Sequence, residues 1–82
     1  MKYEEREKMI IKFHTKCMDM AIESVRASKN FKKLTESEAR ELVCFCYNNI
    51  YFFLKENHDL KNIENMMNKT IEGTISKMFE NR

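Results

Sequence analysis

The chain has 82 residues, fifteen basic and thirteen acidic side chains and 43% apolar residues, a composition that argues against disorder throughout and gives no general attraction to nucleic acid or anionic lipid. Proline is absent and glycine occurs once, so the turn chemistry of a sandwich or barrel is missing and an all-α domain is expected. The length suits one domain, near the lower limit for folding without staples.

The opening run, Met1-Lys2-Tyr3-Glu4-Glu5-Arg6-Glu7-Lys8, is too charged for a secretory signal. The most apolar run, Leu42 to Leu54, is shorter than the roughly 20 residues that cross a bilayer, so membrane insertion is not expected. Three cysteines cannot all pair, and without any mark of secretion they read as reduced thiols of a cytoplasmic protein.

A first helix is predicted over 3–28. Ile10, Phe13, Cys17, Ala21 and Val25 recur at steps of three or four, the spacing of one helix face. Met9, Ile11, Met18, Met20 and Ile22 widen that face. Glu4, Glu5 and Glu7 near the start, with Arg26 and Lys29 near the end, complement the helix dipole. Asn30, inside the loop 27–34, is expected to take a left-handed conformation and stop the helix.

The second helix, 36–56, opens on the capping box Thr35-Glu36-Ser37-Glu38, with Leu34 placed to staple against Ala39. Leu42, Cys46, Ile50 and Phe53 share one face, Val43, Tyr47 and Leu54 flank it, and Phe45, Tyr51 and Phe52 fall elsewhere. A β-hairpin of 43–47 and 50–54 around Asn48-Asn49 competes for these residues. The capping box and the helix-forming lead-in Glu-Ala-Arg-Glu favour the helix.

The third helix, 59–79, is capped by Asp59 and keeps its period through Leu60, Ile63, Met67, Ile71, Ile75 and Met78. Gly73 in its interior costs about 1 kcal/mol relative to Ala, which suggests a close backbone contact there. The short connection at Asn57-His58 makes the second and third helices antiparallel neighbours. The expected fold is a small three-helix bundle. Its apolar faces exceed what one such core hides, so a second copy completing it as a homodimer is expected.

No catalytic signature is present. The carboxylates cluster at helix starts, where capping explains them, and there is no glycine-rich phosphate loop. His14, Cys17, Cys44 and Cys46 are soft ligands, but Cys44 and Cys46 would point about 200° apart on a helix. Neither a metal nor a cofactor is therefore expected. Arg26, Lys29, Lys32 and Lys33, grouped around Phe31, are the candidate nucleic-acid contacts, though the acidic start of the next helix argues against groove reading. Phe45, Tyr47, Tyr51, Phe52 and Met18 are of types enriched at protein interfaces and form the candidate partner-binding set.

In general character the chain is similar to the small all-helical regulators that phages and mobile elements encode to bind one target protein, although no residue motif carries over. The expected function is a non-enzymatic regulator that occupies a surface of another protein as inhibitor, antagonist or adaptor. Nucleic-acid binding through the basic loop is the alternative.

Overall fold

The computed structural model describes residues 3–81. Three α-helices follow one another: α1 (Tyr3–Arg26), α2 (Glu36–Lys55) and α3 (Leu60–Glu80), with a single 3₁₀ turn, Phe31–Lys33, between the first two. No strand occurs among the described residues, so the competing hairpin does not form and α2 runs through Asn48 and Asn49. The expected all-α three-helix bundle is the observed fold.

The start of α2 is fixed by both halves of the capping box. The Glu38 amide donates to Thr35 Oγ1 at 3.1 Å, and the Thr35 amide donates to Glu38 Oε1 at 2.9 Å. Inside the helix, Asn49 Nδ2 donates to the Phe45 carbonyl at 2.8 Å, which satisfies a polar group that could otherwise favour a turn. α2 ends in a Schellman motif. Asn57 adopts φ 63°, the His58 amide bonds to the Phe53 carbonyl at 3.0 Å, and the Asn57 amide bonds to the Leu54 carbonyl at 3.1 Å. α3 then begins at once, with Asp59 accepting from the Lys61 and Asn62 amides at 2.8 and 3.3 Å.

Each helix buries one row at helical spacing. α1 supplies Cys17, Ala21 and Val25, α2 supplies Leu42, Cys46 and Ile50, and α3 supplies Ile63, Met67, Ile71 and Ile75. Burying a side chain of the Leu or Ile class contributes about 1.5–3 kcal/mol, so these rows hold the bundle together. α1 runs antiparallel to α2, its Phe13 and His14 beside Tyr51 and Tyr47 at one end and its Arg26 beside Arg40 and Glu36 at the other.

Three local expectations are corrected. Ile10, assigned to the core face of the first helix, is 56% exposed, as are Met9 and Ile11 to a similar degree. The cause is register: α3 lines a pocket with Met20, Glu23, Ser24 and Ala27, so it covers the second half of α1 and leaves the first turns without that neighbour. Second, α1 stops at Arg26, and Asn30 has φ −99° instead of a left-handed value. Ser28 and Asn30 are drawn to α3, where Ser28 Oγ donates to Glu72 Oε1 at 2.8 Å and Asn30 Nδ2 to Glu72 Oε2 at 3.3 Å. Third, Gly73 makes no close backbone contact, for a Cβ placed on it meets nothing within 4 Å.

That open space sets the sign of a substitution. Gly73→Ala should raise stability by about 1 kcal/mol, the helix-propensity difference, and lift Tm by about 4–8 °C in a domain this small. Thermal unfolding followed by circular dichroism measures it, and a lower Tm would restore the close-contact reading.

Candidate functional site

The five candidate partner-binding residues divide between two faces of the bundle. Tyr47 and Tyr51 lie on the flank of α2 that meets α1, and Met18 faces the same way from α1. Phe45 and Phe52, seven residues apart and so nearly in line, lie about 140–160° away from Tyr47 around α2. They are 44% and 57% exposed.

The first face contains an aromatic cluster. His14 stacks on Tyr47 and Tyr51 with ring centroids 6.0 and 5.6 Å apart, and Phe13 meets Tyr51 edge-on at 5.3 Å. His14 Nδ1 and the Tyr47 hydroxyl are hydrogen-bonded. Desolvation, with Cys17 and Tyr51 nearby, pushes the Tyr47 hydroxyl above its ordinary pKa. Tyr47 and Tyr51 are both half-buried, so they clamp α1 to α2 as well as bordering the surface. Further along this face an open groove of about 480 Å³ runs between the helices. Met18, Ile22, Phe31, Ala39 and Val43 line it, and Arg26, Glu36 and Arg40 stand at its edge. Arg40 and Glu36 pair at 2.7 Å, both largely exposed, so this pair adds little to stability.

The second face is simpler. Phe45 and Phe52 form a short apolar stripe along α2, and Phe52 meets Phe53 edge-on at 5.8 Å. Phe53 in turn leads into the core.

His14, Cys17, Cys44 and Cys46 do not converge. Cys17 and Cys46 are buried in the core, Cys44 is exposed, and no group of three such ligands is assembled among the described residues. Burial pushes the Cys46 thiol up to about 11 and raises that of Cys17 as well. Both therefore stay protonated at neutral pH and behave as small apolar side chains.

The candidate nucleic-acid residues Arg26, Lys29, Lys32 and Lys33 are exposed at the α1–α2 connection. Phe31, the expected stacking platform, is half-buried and packed against the core. The Glu72 carboxylate reaches the same connection through its bonds to Ser28 and Asn30. Sequence reasoning missed this bridge between the loop and α3, since Ser28 and Glu72 are 44 residues apart and neither belongs to a motif.

No helix among the described residues is long and apolar enough to cross a membrane. No family model, curated protein or solved structure matches the chain.

The thiols offer a direct check on this geometry. With Ellman's reagent at neutral pH, one thiol per chain, Cys44, should react promptly in the native protein and all three in denaturant. Prompt native reaction of two or three would show that Cys17 or Cys46 is not buried as described.

Proposed function

We propose that this chain is a small, non-enzymatic cytoplasmic regulator that acts by binding another protein, as inhibitor, antagonist or adaptor. The observation that carries the reading is the exposure of Phe45 and Phe52 in line on α2, beyond the needs of the core. Aromatic side chains held on a helix lose little conformational freedom on binding and are enriched at interface centres. Their setting supports the same view, because α2 is pinned at both ends by a capping box and a Schellman motif. Such a rigid stripe is pre-organised for a partner with an apolar groove. The analogy with small helical regulators of phages and mobile elements rests on general character alone.

A photoreactive p-benzoylphenylalanine in place of Phe52, irradiated in cells that express the chain natively, tests the proposal. The expected result is one dominant adduct with a different protein, lost when Phe45→Lys is added while helix content is unchanged. Adducts with the chain itself only, or a protein adduct indifferent to Phe45→Lys, would contradict it.

A further inference from the structure

The side of α1 that borders the α1–α2 groove carries a charge pattern that the bundle leaves unused. At 100° per residue, Glu4, Ile11, Thr15, Met18, Ile22 and Arg26 fall within about 80° of one another, and Glu5, Lys8, Lys12, Asp19 and Glu23 form the adjoining edge. Ile11 is 59% and Met18 38% exposed. All the charged members of this face are exposed, and none takes part in an ion pair among the described residues.

The order of signs along the helix is self-complementary under reversal. If a two-fold axis passes at Thr15, each residue faces one whose number completes a sum of about 30. Glu4 then faces Arg26, Lys8 faces Glu23 and Lys12 faces Asp19, every pair opposite in sign and each occurring twice by symmetry. Ile11 comes beside Met18 of the other copy. A two-fold axis perpendicular to the plane of two antiparallel helices brings like edges together. The charged edge therefore meets the charged edge, and the apolar side meets the apolar side. A parallel pairing would instead set Lys8 and Lys12 against their own copies.

We infer that the occupant of this face is a second copy of the chain, its α1 antiparallel to the first about an axis at Thr15. The pairing also gives a neighbour to the first turns of α1, which α3 does not cover. A helix segment that short has little stability in water by itself. This inference is independent of the Phe45–Phe52 stripe, which lies on another face and stays open in the dimer.

Sedimentation velocity over a wide concentration range tests it. The expected result is a monomer–dimer equilibrium that weakens with added salt. Lys12→Glu converts two attractive pairs into repulsive ones and should raise the dimer Kd about tenfold. Adding Asp19→Lys to that variant should restore the original Kd. In a Cys44→Ser background, Thr15→Cys should cross-link rapidly under oxidised glutathione, and Lys69→Cys, exposed on α3, should not. These positions are exposed, and circular dichroism checks that each variant keeps its helices. A monomer at every concentration, a Kd indifferent to Lys12→Glu, a double variant that is not rescued, or equal cross-linking at both cysteines would overturn the inference.

Discussion

The structure depends on α2 having a buried row on one side and helices against both flanks of that row. Leu42, Cys46 and Ile50 are fully buried because α1 closes on them with Cys17, Ala21 and Val25, and α3 with Ile63, Met67, Ile71 and Ile75. Both ends of α2 are fixed by local hydrogen bonds, so the helix keeps one length and one register against its neighbours. With the register set, the fate of every other apolar residue follows. Tyr47 and Tyr51, on the flank that meets α1, are half-buried, and Phe45 and Phe52, on the other side of α2, face solvent.

This explains why a chain of ordinary apolar content shows so many large side chains at its surface. Three helices of about 20 residues enclose one narrow core, and α2 is apolar over more of its circumference than two neighbours can cover. α1 adds to the exposure, since its first turns extend past the start of α3. The bundle is correspondingly elongated, 50 × 25 × 18 Å. Two separate faces result, one centred on α1 and mixed in character, the other a purely aromatic stripe on α2. A small protein with two distinct faces can assemble with itself and still engage a partner.

Much of the fold was legible in the sequence because its determinants are local. The capping box at Thr35, the cap at Asp59 and the spacing of three apolar rows each act within a few residues, and all are realised except at Ile10 and Leu60, the first members of their rows, which are exposed. The misreadings came from contacts between distant segments. Ile10 has the right period for the core and lacks only a helix opposite it, which periodicity cannot reveal. Asn30 and Ser28 follow Glu72, a partner on another helix, so the first helix ends earlier than its own residues suggest. The left-handed residue is Asn57, where α2 must reverse within a tight connection. The candidate contact residues were legible as types, but their division between two faces needed the positions of α1 and α3.

Two neighbours on α2 test most directly the separation between what holds the fold and what is offered at the surface. Ile50 is fully buried and Phe52 is 57% exposed. In urea unfolding, Ile50→Val, which removes one methylene, should lower stability by about 0.5–1.5 kcal/mol. Phe52→Ala, which removes a whole ring, should leave stability level or slightly higher, since Ala is the better helix former. If Phe52→Ala instead costs about 3–5 kcal/mol, as loss of a core ring does, then Phe52 belongs to the core and the account of the surface fails.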